Sequence, residues 1–413
     1  MKAVIVSIGD ELITGQTVDT NAAWLSEELM ARGVQVVEHI TVGDIQENMV
    51  KALRQSADTA DTVVVTGGLG PTDDDITRQA LAEVLGVELE LHEPSLRHIE
   101  HIFARSKRDM PARNRIQAMI PKGCQVIQNP MGTAAGIHAN LNAAHLFFIP
   151  GVPKEMRLMS QESVFPRITE DRPDREVFKS KKLRLFGISE SALAEILGTL
   201  MKRGQNPLVN CTVSTGIITL NIIAKAADNG SADNLIAPVE KDIRERVGNK
   251  LFGTGNETLA EVVGNLLKAA GKNLAVAESC TGGMLAKELT DQPGASTFFL
   301  GGWICYSNQA KMDSLGVTPT LFETEGAVSE QVASDLAKKA RSTVGSDYAL
   351  AITGLAGPSG GTDKKPVGLV YIGLATAGDT QVNKFVFNGD REIVRILSVH
   401  NALDMLRKDI TLF

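Results

Sequence analysis

The feature that most constrains this chain is a recurring unit of apolar strand, tight turn and amphipathic helix. Residues 2–8 form a continuous apolar run that breaks at Gly9 and two acids. A run without polar alternation has no face to give to water, so it is a strand buried on both sides, as in a parallel sheet. Thr20 then caps a predicted helix that carries Trp24, Leu25 and Leu29 on one stripe and stops at Gly33. A strand over 34–37, a helix over 45–57, a strand over 62–66 ending in Gly67 and Gly68, and a helix over 76–85 repeat the pattern. A further apolar strand covers 146–149. This alternation predicts an α/β domain, a parallel sheet with helices on both faces.

The pattern changes twice. The charged, proline-containing stretch TEDRPDRE (169–176) is a predicted boundary. Beyond it, a strand at 183–186, a helix at 189–202, a hairpin of 208–214 with 217–226 and a helix at 235–247 make a small α+β module. A second boundary falls at Gly253, Thr254, Gly255 and Asn256, after which α/β alternation returns. The prediction is three segments, 1–170, 171–252 and 253–413, and a length of 413 residues accords with two or three domains. With 43% hydrophobic and 22% charged residues, disorder, collagen and coiled coil are excluded as the class. The net charge of −7 gives no global attraction to a polyanion, so no nucleic-acid partner is expected. Cys124, Cys211, Cys280 and Cys305 form no CxxC pair, which predicts a reducing compartment and no structural zinc. The apolar start is too short for a signal core or a membrane span. A cytoplasmic protein without a membrane partner is the expectation.

Two acidic clusters follow predicted strands: Asp10 and Glu11 in GDELITG (9–15), and Asp73, Asp74 and Asp75 in TGGLGPTDDD (66–75). Loops at the carboxyl ends of parallel strands converge on one crevice, so these five carboxylates are candidates to face one ligand. Gly67, Gly68 and Gly70 let backbone N–H groups approach an anion closely. Carboxylates repel a phosphate unless a divalent cation lies between them, which points to Mg²⁺-type chemistry. The alternative is that the three aspartates cap the helix near Ile76, and that Asp10 and Glu11 belong to a turn. NPMGTAAG (129–136) either lines the same crevice or is a plain loop.

GDELITG, Asn21, TGGLGPTDDDIT and PGVPKEM (150–156) resemble the molybdopterin-binding-type domain of the CinA family, competence/damage-inducible protein A. The chain departs from the GTAPG common in that family, with Ala134 followed by Ala135. The resemblance implies a three-layer α/β domain that is a metal-dependent ADP-ribose pyrophosphatase, using Mg, Mn or Co and yielding AMP and ribose 5-phosphate. No Nudix-type glutamate box is present, so such an activity has the two acidic clusters to draw on. Family members carry a KH-like module in the middle. No GxxG loop, the nucleic-acid grip of KH domains, occurs between Thr169 and Lys250. Lys179, Lys181, Lys182 and Arg184 fit a solvated strand edge, and the module reads as a spacer or dimerisation element.

In the last segment a strand at 274–277 runs into Glu278, Ser279, Cys280, Thr281, Gly282 and Gly283 before a helix. A hydroxyl at such a turn lies near free N–H groups that suit an oxyanion or phosphate, although Ser279 or Thr281 also suits plain N-capping. A serine nucleophile needs a base. His400, beside the apolar residues Ile393, Ile396, Leu397 and Leu403, reads as a core histidine. A lysine with a depressed pKa serves as well. Tyr306 and Lys311, at the end of a strand taken to be buried and the start of a short helix stopped by Gly316, are one turn apart. A Ser-Lys pair tuned by the tyrosine hydroxyl is coherent, against the alternative of an exposed surface lysine.

AESCTGG, YSNQAK, EGAVSE (325–330), ITGLAGPSGG (352–361), KPVG (365–368) and GDR (389–391) resemble the CinA carboxyl-terminal domain, which is similar to nicotinamide-nucleotide amidases. That resemblance implies conversion of nicotinamide mononucleotide to nicotinate mononucleotide and ammonia, with no cofactor. It makes Ser279 the nucleophile, assisted by Tyr306 and Lys311. Cys280 is a rival nucleophile on chemistry, but without a nearby histidine it reads as a small buried residue. Thr281, Gly282, Gly283, Gly354, Gly357 and Arg391 are candidate substrate contacts. The combined expectation is a bifunctional pyridine-nucleotide hydrolase acting on nicotinamide mononucleotide and ADP-ribose, with a homodimer the prior for its assembly. The competing expectations are a pterin- or nucleotide-binding protein without turnover and a competence-related interaction protein.

Overall fold

The first apolar run is the strand Lys2–Ile8, and every residue after Lys2 is buried. In a computed structural model that describes residues 1–170 and 176–411, it lies inside a six-stranded sheet. The order is Gln35–Val42, Lys2–Ile8, Thr62–Thr66, Ala144–Ile149, Gly136–Leu141, Gln125–Ile127. The first four strands are parallel. The last two are antiparallel, which corrects the expectation of a wholly parallel sheet. Gly136–Leu141 and Ala144–Ile149 are joined by a two-residue turn with Asn142 at φ 54, and so tight a turn can join only antiparallel neighbours.

Alternate residues of the first strand enter different cores. Val4 and Val6 pack with Leu53 and Leu81, while Ala3 and Ile5 pack with Leu25, Leu29 and Met156. This two-sided burial is the reason the strand sequence shows no polar alternation. Gln35–Val42 lies at the sheet edge and alternates in exposure, so the apolar criterion caught only its start. The helix Thr20–Ala31 is capped by Asp19, whose carboxylate accepts from the Ala22 N–H at 2.9 Å; Thr20 is its first residue and not its cap. The helix Glu93–Arg105 and the short pair Leu89–Leu91 with Met119–Pro121 had no counterpart in the sequence pattern.

The chain divides into two compact units, Met1–Lys179 with Ala224–Asn234, and Ser180–Ile223 with Leu235–Phe413. The predicted boundary stretch 169–176 lies largely outside the described residues. The small middle sheet runs Leu208–Ser214, Ile217–Ala226, Val177–Phe186, Leu251–Thr254, with helices Glu190–Leu197 and Asn229–Val247. The last sheet runs Phe299–Ile304, Leu274–Glu278, Tyr348–Gly354, Leu369–Ala375, Thr380–Val386. Its first three strands are parallel and its last two antiparallel. Helices Leu259–Ala270 and Arg391–Ile410 cover one face, and Glu330–Val344 covers the other. Phe299–Ile304 is an edge strand with alternating exposure, contrary to the buried strand expected before Tyr306. Among the described residues no helix is long and apolar enough to cross a membrane.

Helix Glu330–Val344 lies on a face paved with Ala275, Ala277, Ala349 and Ala351. A Cβ at Gly373 would sit 2.7 Å from the Ala333 carbonyl oxygen. Gly373→Ala should therefore lift the helix and destabilise the fold by about 1–3 kcal/mol, as overpacking does. Denaturant unfolding measures it, and an unchanged midpoint would show that the helix shifts freely.

Candidate functional site

Two groups of chemistry-bearing residues sit at the carboxyl ends of parallel strands, one in each unit. In the first unit, Ile8 at the end of one strand and Gly67 and Pro150 just past the ends of two neighbouring ones line a cleft of about 400 Å³. Gly67 has φ 109, and a Cβ there would strike the Ile8 carbonyl oxygen, so the turn into the cleft admits only glycine. Gly68 and Gly70 also line it.

The five predicted carboxylates do not act alike. Glu11, Asp74 and Asp75 line the cleft, whereas Asp73 is exposed and Asp10 lines a neighbouring recess. Asp75 accepts from the N–H groups of Gly70 (2.7 Å) and Thr72 (2.8 Å) and from the Thr72 hydroxyl. It folds the glycine loop and does not cap the next helix, Thr77–Leu85, which has no side-chain cap. The buried Arg78 grips the same loop, donating to the carbonyls of Leu69 and Gly70 at 2.7 Å each. Burial draws its pKa down to about 10, opposed by the charge of Asp75.

Asp44 is a cleft residue that strand-end reasoning passed over, although it follows the second parallel strand as Asp10 follows the first. Its carboxylate accepts the Asp10 N–H, and Asp10 accepts the Asp44 N–H, both at 3.0 Å. Burial raises its pKa, the Asp10 N–H opposes this, and the charges of Asp10, Asp74 and Glu11 raise it further. The neighbouring acids thus disfavour the charge on Asp44, a situation a bound cation relieves. Among the described residues no group of three or more His, Cys, Asp or Glu side chains is placed to hold a metal ion. Glu155 was also passed over. It accepts from Asn129 Nδ2 at 2.7 Å, while Asn129 Oδ1 takes the N–H groups of Met131 and Gly132. This ties NPMGTAAG to the cleft wall, where Thr133 and Ala134 lie.

In the second unit Ser279 follows Leu274–Glu278, and its Oγ lies 3.2 Å from Lys311 Nζ. Lys311 comes from the helix Asn308–Leu315, which Ser307 caps through the Ala310 N–H at 3.0 Å and Gly316 ends at φ 65. The side chain is 1% exposed, and its amine also donates to the Cys305 carbonyl at 2.8 Å. Burial pulls the lysine pKa down, with partial opposition from Cys305 and Cys280. The surface-lysine alternative therefore does not hold.

Tyr306 is placed differently from the expectation. Just past the end of Phe299–Ile304, Cys305 is buried, whereas Tyr306 is 59% exposed and its hydroxyl accepts from Arg391 at 2.8 Å. The Cys305 carbonyl, not the tyrosine, orients the lysine. Ser279 and Thr281 do not cap the helix Met284–Thr290. Buried Glu278 takes its early amides instead, accepting from Gly283 (3.1 Å), Leu285 (3.0 Å) and Ala286 (2.8 Å). The helix end is thus occupied by a carboxylate and is not the free anion site expected.

Thr281 is fully buried, its hydroxyl without a partner among the described residues and its carbonyl accepting from Arg395 at 2.7 Å. Gly282 is exposed and Gly283 half-buried. Gly354 belongs to a strand, where a Cβ would lie 2.8 Å from the Leu369 oxygen, so its small size serves packing. The Gly357 carbonyl accepts from Arg391 at 2.8 Å. Lys365 of KPVG donates to the carbonyls of Glu325 and Val328, at 2.8 Å each, and so anchors EGAVSE. The Cys280 thiol is pushed up to about 11, chiefly by burial, and stays protonated at neutral pH. His400 hydrogen-bonds the Thr215 carbonyl at 3.1 Å and packs edge-on to Phe186, and burial keeps it neutral.

The sequence matches the Probable molybdopterin binding domain over residues 4–170, the Damage-inducible protein CinA KH domain over 180–253 and the CinA C-terminal domain over 256–410. It is 40% identical over 410 residues to a putative competence-damage inducible protein of Clostridium botulinum (strain Loch Maree), covering 99% of this chain and 100% of that one. The protein of the same description from Moorella thermoacetica is 40% identical over 407 residues, 98% of each chain. Among solved structures, a CinA protein of Thermoplasma acidophilum is 32% identical, covering 41% of this chain and 97% of its own, with a TM-score of 0.38. The architecture is thus α/β, with an amino-terminal molybdopterin-binding-like domain, a small KH-like module and a CinA-type carboxyl-terminal domain.

The buried lysine gives a stability test that is independent of any activity. Its folded pKa is below its unfolded one, so between the two the unfolded chain holds a proton the native chain lacks, and stability rises with pH across that window. Lys311→Met should remove this increment and melt at or above the wild-type midpoint at neutral pH. A large loss of stability would mean that the amine is a structural tie.

Proposed function

We propose that this chain, which belongs to the CinA family, is a bifunctional hydrolase of pyridine-nucleotide metabolism. Its carboxyl-terminal domain deamidates nicotinamide mononucleotide, and its amino-terminal domain cleaves ADP-ribose to AMP and ribose 5-phosphate. The observation that carries the first activity is the 3.2 Å approach of a desolvated lysine amine to a serine hydroxyl.

A neutral amine has two N–H bonds and one lone pair. The Cys305 carbonyl takes one N–H, and in the neutral state the lone pair is proposed to take the proton of the Ser279 hydroxyl, to whose oxygen the amine lies 3.2 Å away. Lys311 removes the Ser279 proton as Oγ bonds to the carboxamide carbon, and the carbonyl π pair moves onto oxygen. The Cys280 and Thr281 amides, which Glu278 does not engage, are the candidates to receive that oxyanion. Its collapse breaks the C–N bond, and the Lys311 ammonium returns its proton to the leaving nitrogen, releasing ammonia. Water, deprotonated by the same amine, then hydrolyses the acyl-serine. Arg391, hydrogen-bonded to Tyr306 and Gly357, is the cation proposed for the nucleotide phosphate.

In the other domain the all-oxygen donor set suits Mg²⁺ or Mn²⁺. It fits an ion that keeps several waters and takes one or two carboxylates plus substrate phosphates, not an all-protein cage. Asp74 and Glu11 are the residues proposed to hold it, with the Asp44–Asp10 pair beside them and Asp75 shaping the loop. The ion's contribution is to offset charge on the diphosphate oxygens.

Ser279→Ala should abolish ammonia release and leave ADP-ribose cleavage intact, while Cys280→Ala retains most of both. Lys311→Met should lower amide hydrolysis by on the order of 10²–10⁴. In wild type the rate should rise with pH as Lys311 loses its proton. An active Ser279→Ala beside a dead Cys280→Ala would transfer the nucleophile to the thiol.

A chelator should stop ADP-ribose turnover and spare ammonia release in the same sample, and Asp74→Asn should weaken the response to added Mg²⁺, Mn²⁺ or Co²⁺. Chelator-resistant ADP-ribose cleavage would remove the acids from the mechanism.

A further inference from the structure

The amino-terminal unit has a second recess, at the opposite end of its central strands from the acidic cleft. Thr62 and His145, the first paired residues of two neighbouring parallel strands, lie on its wall, and so do Gln125, His138, Phe147 and Arg167. Its volume is about 210 Å³, below the roughly 300 Å³ at which pockets for drug-sized ligands begin. A nucleotide does not fit such a space, whereas a tetrahedral oxyanion does.

Nitrogen donors dominate this wall. Arg167 Nη1 is enclosed and has no acceptor among the described residues. A buried donor left unpaired is costly, and an arginine in that state is an open demand for an oxygen acceptor. His138 Nε2 and His145 Nδ1 lie 3.2 Å apart, which places one proton between two imidazoles. The His138 ring is held by stacking on Phe147, with centroids 4.6 Å apart and planes 9° from parallel, and its Nδ1 lies 3.4 Å from Gln125 Oε1. The ionisable residues on the wall are Met1 with its α-amino group, His138, His145, Arg167 and Glu170, whose side chain is exposed. Among the described residues of the wall only the last is acidic.

We propose that this recess binds a small oxyanion of phosphate size, held by the Arg167 guanidinium together with the His138–His145 pair. Burial first, and then the charges of His145 and Arg167, draw the His138 pKa down to about 4. A bound anion offsets those charges and so favours a proton on the pair. By linkage, affinity then rises as pH falls. The inference is independent of the chemistry at Ser279 and at the acidic cleft.

The test uses the full chain with isotopically labelled histidine, titrated with inorganic phosphate and with sulfate at constant ionic strength. Sulfate keeps two charges throughout, so its pH dependence reports the protein. His138→Gln and His145→Gln assign the resonances among the seven histidines. Saturable shifts of the His138 and His145 ring signals are expected, stronger at pH 6 than at pH 8. Arg167→Met should weaken binding at least about tenfold, the loss expected for a charge-assisted hydrogen bond. If that variant fails to fold, Arg167→Lys replaces it and should also bind more weakly, because it keeps the charge but not the planar fork. Absent or non-saturable shifts in the wild type overturn the proposal. So does unchanged affinity in the arginine variants, as does anion binding detected calorimetrically without any response of these two rings.

Discussion

Removing one ammonium group from water is the constraint on which the carboxyl-terminal site depends. A lysine kept in solvent is protonated at neutral pH and useless as a base, and burial is what changes that. Burying Lys311 is unfavourable by itself, so the surroundings must hold it there. Ser307 caps the helix that carries it, Gly316 ends that helix after two turns, and the Val317 N–H returns to the Lys311 carbonyl at 3.2 Å. The Cys305 carbonyl at 2.8 Å then holds the amine within 3.2 Å of the serine hydroxyl. The energetic cost and the chemical usefulness of this residue have the same origin.

The two candidate sites use the same structural position, the carboxyl end of parallel strands, with opposite electrostatics. The acidic cleft raises the proton affinity of Asp44, by burial and then by the charges of Asp10, Asp74 and Glu11. Its glycine loop is closed by Asp75 and Arg78, so one acid and one buried cation build the loop that the remaining acids face. In the carboxyl-terminal domain the acid at the Ser279 turn, Glu278, is spent on backbone amides, and Arg391 and Arg395 supply positive charge around it. A metal suits the first arrangement and a direct anion contact the second.

How far the sequence was legible follows from the range of each interaction. Apolar runs located the strands Lys2–Ile8 and Thr62–Thr66 because burial on both faces leaves a mark on every residue. Edge strands such as Gln35–Val42 leave a weaker mark, and the short pair Leu89–Leu91 with Met119–Pro121 leaves almost none. Asp44 was readable in principle, since it follows a parallel strand. Glu155 and Arg78 were not, because their roles exist only through loops brought to them by the fold. Tyr306 stood one turn from Lys311 in sequence, but the chain leaves the strand Phe299–Ile304 with Tyr306 exposed and Lys311 buried.

The sequence by itself determined the α/β alternation, the residues capable of chemistry and the glycine turns that precede them, since all of these are written in patterns a few residues long. Tertiary structure decided which of them meet. Ser279 and Lys311 are 32 residues apart, and they come within hydrogen-bond distance because Leu274–Glu278 and Phe299–Ile304 run parallel with Glu278 opposite Ile304. That register places the serine and the start of the lysine helix at one end of the sheet. No local pattern encodes it, because register and desolvation are set by what the rest of the chain packs against the two strands.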